Sequence, residues 1–113
     1  MSRPEQIEQE LTKAARGLQN GNDGLARVCA RRAVALASQQ WAEQQNLATW
    51  KGDAMHHLRQ VQAEPTFPPS VRAAAQRLLT KVTEQTELPM TTDPITDARI
   101  ILDYLLDHLN AET

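Results

Sequence analysis

The sequence predicts an all-α protein, an antiparallel bundle of four to five helices in one domain that spans residues 1–113. Apolar residues recur every three or four positions in several stretches, which is typical of helices with one buried face. Glycine, asparagine and proline separate those stretches, and no segment alternates with the period of two expected of a strand. A chain of 113 residues is also long enough to bury a core without a metal or a disulfide.

The segment from Gly24 to Gln40 is predicted to be the central helix, with Asp23 as its N-cap. When the segment is projected on a helix, only Arg27, Arg31 and Ser38 form a narrow polar strip. So little polar surface is typical of a helix that packs against several neighbours. We therefore expect the other helices to surround it. Its expected apolar face consists of Leu25, Ala26, Val28, Cys29, Ala33 and Leu36, continued round the side by Ala30, Val34, Ala37 and Trp41.

The first helix is predicted to run from about Pro4 to Gln19. Ser2 and Glu5 have the spacing of a capping box, in which each side chain binds a free N–H group of the other residue. The turn sequence Asn-Gly-Asn-Asp-Gly at 20–24 stops this helix and predicts a tight reversal, so the first two helices should be antiparallel. The apolar stripe of the first helix is Ile7, Leu11, Ala14, Ala15 and Leu18.

The second half of the chain predicts three more helices. The third covers about Asp53 to Ala63, with Asp53 as its cap, and a proline-rich loop at 64–69 follows it. Pro69 opens the fourth helix, and Asp93-Pro94 starts the last one. The sequence does not determine how many helices the region from Ser38 to Trp50 contributes. Inward-facing residues are expected at Val71, Ala74, Ala75, Leu78, Leu79 and Val82 in the fourth helix, and at Ile95, Ala98, Ile101, Leu102, Leu105, Leu106 and Leu109 in the last.

Arg32 is unusual because the projection places it between Leu25 and Leu36, within the predicted apolar face. A guanidinium group does not lose its charge, so a buried Arg32 would need an oxygen partner. Asp103 and Asp107, one turn apart on the last helix, are candidates for such a structural ion pair. The alternatives are that Arg32 extends to the surface along its apolar stem and that the two aspartates form an exposed acidic face.

Composition favours a reduced cytoplasmic protein. The single cysteine, Cys29, cannot form an internal disulfide and lies on an apolar stripe, where it should pack as a small hydrophobic residue. No apolar stretch approaches the length of a membrane span, so we expect no membrane association. The net charge of −2 argues against nucleic-acid binding driven by charge alone.

No residue pattern indicates catalysis. Asp53 and His56 have the spacing of metal ligands in helical bundles, but no second pair accompanies them, so we interpret Asp53 as a cap and His56 and His57 as solvated. The glycine-rich phosphate-binding motifs are missing, and no histidine lies near Cys29 in the sequence. We therefore predict a non-catalytic protein without a metal or cofactor.

Several motifs together resemble the small prokaryotic proteins of the HEPN-like group: the Gly21-x-x-Gly24 turn, the arginine-rich run at 27–33, the proline-opened fourth helix and the Leu88-Pro89 turn. The resemblance implies an antiparallel helical bundle and a homodimer, with a partner such as the nucleotidyltransferase that accompanies many members in toxin–antitoxin or defence systems.

Ribonuclease members of the HEPN-like group carry an arginine followed by a histidine after four to six intervening residues. Here eight residues separate Arg99 from His108. The resemblance therefore implies the fold and dimerisation but gives no RNA-cleaving residues.

Three hypotheses for the function follow. The first is a self-associating interaction or scaffold protein, with Trp41, Trp50 and Phe67 as interface anchors, since aromatic residues are enriched at interfaces. The second is a nucleotide- or RNA-binding module that holds anions with its arginines. The third is a tetratricopeptide-like peptide-binding protein, suggested by the alanine-rich first hairpin. The arginines of the second hypothesis are Arg27, Arg31 and Arg32.

Overall fold

The structure, a computed structural model, describes residues 2–47, 50, 52–80 and 93–111, the last four without their side chains. Five helices and no strand occur in these residues, which confirms the all-α prediction. Val82 and the Leu88-Pro89 turn lie outside the described residues, as do the side chains of His108 and Leu109. The helices are α1 (Arg3–Gln19), α2 (Asp23–Gln44), α3 (Ala54–Ala63), α4 (Pro69–Leu79) and α5 (Pro94–Ala111).

The hairpin of α1 and α2 forms where the turn sequence predicts it. The Glu5 N–H donates to Ser2 Oγ at 3.3 Å, which confirms Ser2 as the N-cap of α1. The cap of α2 is Asn22 instead of Asp23, because the Leu25 N–H donates to Asn22 Oδ1 at 3.0 Å. A Cβ atom at Gly17 would lie 3.0 Å from the backbone of Asn22 and Ala26, so glycine lets the two helices approach closely.

Helix α2 is the central helix, as predicted, because it packs against each of the other four helices. It continues to Gln44, four residues past the predicted end, since Trp41 and Ala42 extend its buried face. Asn46, at φ 56°, then adopts a left-handed conformation, and the Leu47 N–H returns to the carbonyl of Ala42 at 2.9 Å. The small side chains that let its neighbours approach are Ala26, Ala30, Ala33, Ala37 and Ala42.

The remaining helices complete the main core beside α2. Asp53 caps α3, as predicted, by accepting the N–H of His56 at 2.9 Å. Proline opens both α4 and α5, where the absence of an N–H group is tolerated. Of the predicted core residues in these two helices, those that are buried are Val71, Ala74, Ala75, Leu78, Ala98, Ile101, Leu102 and Leu105, while Leu79, Ile95 and Leu106 are half-buried.

The three aromatic residues that the sequence proposed as interface anchors contact one another inside the bundle. The ring centroids lie 4.8 Å apart for Trp41 and Trp50, 5.2 Å for Trp41 and Phe67, and 5.0 Å for Phe67 and Tyr104. Trp41 and Phe67 are buried, and Trp50 is half-buried against the core. The interface assignment is therefore wrong for Trp41 and Phe67, whose rings stabilise the fold of their own chain.

The predicted apolar face of α2 is only partly covered. Ala26 and Cys29 are buried against α1, where they form a small cluster with Ala14. Leu25 and Val28, on the other hand, are 44% and 38% exposed, so their assignment to the core was wrong. Helical periodicity identifies an apolar face, but it does not determine how much of that face a neighbouring helix covers.

Candidate functional site

Two of the three arginines that were candidates for anion binding contact the end of α4. Arg27 donates through Nη2 to the carbonyls of Arg77 and Thr80, the latter at 3.0 Å, and Arg31 donates through Nε to that of Leu78 at 2.7 Å. The last carbonyls of a helix have no partner within the helix, and they favour a nearby cation. Arg27 and Arg31 therefore cap the C-terminus of α4, and buried Arg27 is not an open anion site.

A buried ion pair adjoins this cap. The Asp97 carboxylate is fully buried, and Arg77 donates to its Oδ1 through Nε at 2.9 Å, which joins α4 to α5. Burial lowers the pKa of Arg27, while the negative charge of Asp97 acts in the opposite direction. Burial also lowers the pKa of Arg31, and the charge of Arg27 adds to this effect. Sequence reasoning missed Asp97, although it lies one turn before Ile101 on the apolar stripe of α5.

Arg32 lies at the surface and takes no part in the predicted structural ion pair. It is exposed, as are Asp103 and Asp107, and no ion pair joins it to either aspartate in the described part of the chain. The prediction of a buried pair is therefore wrong. The surface on which Arg32 lies is lined by α3 and α1, with no residue of α5.

The surface beside Arg32 forms an open groove, which we call the α2–α3 groove. Its first part has a volume of about 320 Å³. A second part of about 270 Å³ shares Arg32 and Ala54 with the first. The first part is lined by Val28, Arg31, Arg32, Asp53, Ala54 and Met55. The second is lined by Glu10, Arg32, Ala35, Leu36, Gln39, Gly52, Ala54 and His57.

A buried hydrogen bond lies beneath the second part of the groove. The Ser38 hydroxyl and Nδ1 of His57 are 2.9 Å apart, and both residues are buried. Burial lowers the pKa of His57, and the neighbouring His56 lowers it further. The negative charge of Asp53 acts in the opposite direction. The interpretation of His57 as solvated is therefore wrong, while His56 is exposed as expected. The sequence did carry a signal for the burial of His57, because this residue lies one turn before Val61 on the apolar stripe of α3.

Ser38 and Cys29, the two side chains of this region that could act as nucleophiles, are both buried. Ser38 is fully buried, so its pairing with His57 satisfies two polar groups and does not present a nucleophile to solvent. Burial raises the pKa of the Cys29 thiol, and the Glu10 carboxylate adds to that effect. Cys29 packs as a small hydrophobic residue, as the sequence predicted, and its neighbour on α1 is Ala14.

The described residues contain neither a candidate metal site nor a candidate membrane span. No group of three or more histidine, cysteine, aspartate or glutamate side chains there could hold a metal ion. None of the described helices combines the length and the apolar character needed to cross a membrane. The α2–α3 groove combines apolar and charged side chains in its walls.

The chain gives no match to a family model, to a curated protein or to a solved structure. The resemblance to the HEPN-like group and the association with a nucleotidyltransferase accordingly stay predictions. What the protein does must be inferred from the geometry of its own residues.

Proposed function

We propose that this protein is a non-catalytic helical interaction protein that self-associates as a homodimer. The observation that carries the proposal is the exposure of Leu25 and Val28, three residues apart on the helix that every other helix contacts. Scattered apolar residues are normal on a protein surface. These two lie together on one face of α2, and Val28 continues into a groove that Met55 also lines. Such a face is stabilised when a second protein surface covers it.

The polar residues of the bundle support a role in binding over one in catalysis. The arginines at the end of α4 donate to backbone carbonyls, and the buried histidine bonds to a serine hydroxyl. A general base or nucleophile has to reach its substrate within hydrogen-bonding distance. Ser38, His57 and Cys29 are all buried, so each contributes to packing and to the satisfaction of polar groups.

Light scattering of the purified chain over a range of concentrations tests the proposal. The monomer has a mass of 12.6 kDa, and the weight-average mass should rise toward twice that value as concentration increases. A mass that stays at the monomer value up to several hundred micromolar would contradict the proposed function. An interface of ordinary size removes about 800 Å² of surface from each copy, so a change in hydrodynamic radius should accompany the change in mass.

The nucleotide- or RNA-binding alternative has less support, because it depended on three arginines and Arg27 is buried beneath the end of α4. Arg31 and Arg32 do line one groove, but the Asp53 carboxylate lines it as well and would repel a phosphate. A panel of nucleotides in a thermal-shift assay separates the two functions. A clear rise in melting temperature with one nucleotide would favour the alternative, since a ligand stabilises the state that binds it.

A further inference from the structure

We infer that the two copies meet across the α2–α3 groove, with Arg32 of each copy opposite Asp53 of the partner subunit. This inference rests on the proposed self-association and adds to it the surface and the recognition chemistry. Both residues line the first part of the groove, Arg32 from α2 and Asp53 from the residue that precedes α3.

Arg32 and Asp53 line the groove without an ion-pair partner among the described residues. Arg32 forms no hydrogen bond or ion pair with any described residue. Asp53 accepts the backbone N–H of His56, and no ion pair of Asp53 occurs in the same part of the chain. Arg31 also lines this part of the groove, but its Nε donates to the Leu78 carbonyl. Arg32, on α2, and Asp53, next to α3, are therefore the two charged residues there that pair with no other side chain among the described residues.

Two-fold symmetry makes this arrangement self-complementary. An axis that runs along the groove places the α2 wall of one copy against the α3 wall of the other. Arg32 then faces Asp53 of the partner subunit, and the same contact is repeated on the other side of the axis. Val28, also on the α2 wall, faces the wall that carries Met55, so apolar surface covers apolar surface. Leu25, which is exposed on the same helix, adds to the covered area.

A second copy fits the groove better than a ligand of uniform charge. A phosphate or an acidic segment would pair with Arg32 but would lie beside the Asp53 carboxylate, and a basic segment would meet the opposite difficulty. Like charges placed together at an interface lower affinity, and complementary charges select the correct partner. A surface that carries an acidic and a basic group in exchanged positions pairs with Arg32 and Asp53 together, and a second copy of this chain is such a surface.

A charge-exchange experiment tests the inference. Arg32→Glu and Asp53→Lys should each raise the dissociation constant at least about tenfold, because each places like charges opposite one another at both contacts. An equimolar mixture of the two variants should regain most of the native affinity. In the mixed dimer, one contact keeps Arg32 and Asp53, and the other joins the two substituted residues, whose charges are again opposite. Sedimentation velocity at low ionic strength measures both effects.

Matched variants separate this effect from a general change in charge. Arg59→Glu and Asp103→Lys make the same charge changes at exposed positions away from the groove, and their dissociation constants should stay within about twofold of native. Because Asp53 also caps α3, circular dichroism should confirm that Asp53→Lys is folded. If it is not, Asp53→Asn retains the capping side chain. Its mixture with Arg32→Glu should associate more tightly than either variant alone.

The outcomes distinguish the inference from the proposed function. If the native chain is strictly monomeric, both fail. If it dimerises and Arg32→Glu weakens the dimer no more than Arg59→Glu does, self-association stands but the α2–α3 groove is not its surface. A mixture that fails to regain affinity would also overturn the pairing of Arg32 with Asp53. Weakening in each variant followed by recovery in the mixture is the expected result.

Discussion

His57 is buried and bonded to Ser38, and this environment gives the residue a measurable thermodynamic signature. Its pKa in the folded protein is lowered, mainly by burial, whereas in the unfolded chain it should lie near the usual value of about 6.5. Between these two values the unfolded state binds more protons than the folded state. The free energy of unfolding should therefore fall as the pH drops from about 6.5 through the folded pKa, and should be insensitive to His57 above that range.

Urea denaturation between pH 5 and 7.5 checks this prediction. For one proton the slope cannot exceed about 1.4 kcal/mol per pH unit. His57→Gln should lose this pH dependence, while His56→Gln, at an exposed neighbour, should keep most of it, because burial is the main cause of the lowered pKa of His57. The same slope in His57→Gln as in the native chain would show that another group is responsible.

Arg27 and Arg32 allow a second comparison, because the two residues differ in environment and not in type. Arg27→Met removes the donor to the carbonyls of Arg77 and Thr80 and leaves them beside an apolar side chain. We expect the free energy of unfolding to fall by about 2–3 kcal/mol. Arg32→Met, at an exposed position without a partner in the described structure, should change it by less than about 0.5 kcal/mol. Equal losses in urea denaturation would contradict the assignment of Arg27 as a helix cap.

At the level of elements, the ion pair between α4 and α5 should contribute more than the one between α1 and α5. Arg77→Met leaves the buried Asp97 carboxylate without its guanidinium, which should cost about 3 kcal/mol. Arg99 contacts Glu8 through two hydrogen bonds, but both side chains are exposed. Arg99→Met should therefore cost less than about 1 kcal/mol. Chemical denaturation of the two variants measures the difference, and a larger loss in Arg99→Met would reverse the ranking.

The sequence predicts each helix well but predicts their contacts poorly, for a physical reason. Periodicity and capping residues are local signals, so α1 and α3 begin within one residue of their expected positions. The exposure of Leu25 and the burial of His57 depend on which helix packs beside each residue, and that is decided by residues far away in the chain. The same holds for Arg32, whose position among apolar residues on α2 left burial and a surface location open, and which the structure places at the surface.

The candidate site was accessible to sequence reasoning only in part. Arg31, Arg32 and Asp53 were recognised as charged residues with possible roles, but their convergence on one groove could not be foreseen. It arises because the N-terminus of α3 packs beside the first half of α2. No local pattern encodes that placement, since it is a tertiary contact between two helices. Trp41 and Phe67 were wrongly predicted to lie at an interface for the same reason, because their contacts with other aromatic rings are tertiary.

For the molecule as a whole, the central position of α2 couples folding to association. One face of this helix holds the core together, and its exposed face is the proposed dimer surface. A dimer that forms only from folded chains stabilises the folded state by mass action. The melting temperature of the native chain should therefore rise with protein concentration, and more steeply at low ionic strength, where exposed charge pairs are least screened.

Val28→Glu separates the two roles of α2. Val28 is 38% exposed, so a charged side chain at this position can reach water in the monomer and should change its stability by less than about 0.5 kcal/mol. In the dimer the same charge would be buried against apolar surface without a partner. The melting temperature at low concentration should thus stay near the native value, while its rise with concentration should disappear. Ala73→Glu, at an exposed position on α4, should keep that rise, and its loss in both variants would show that net charge, not the α2 face, controls association.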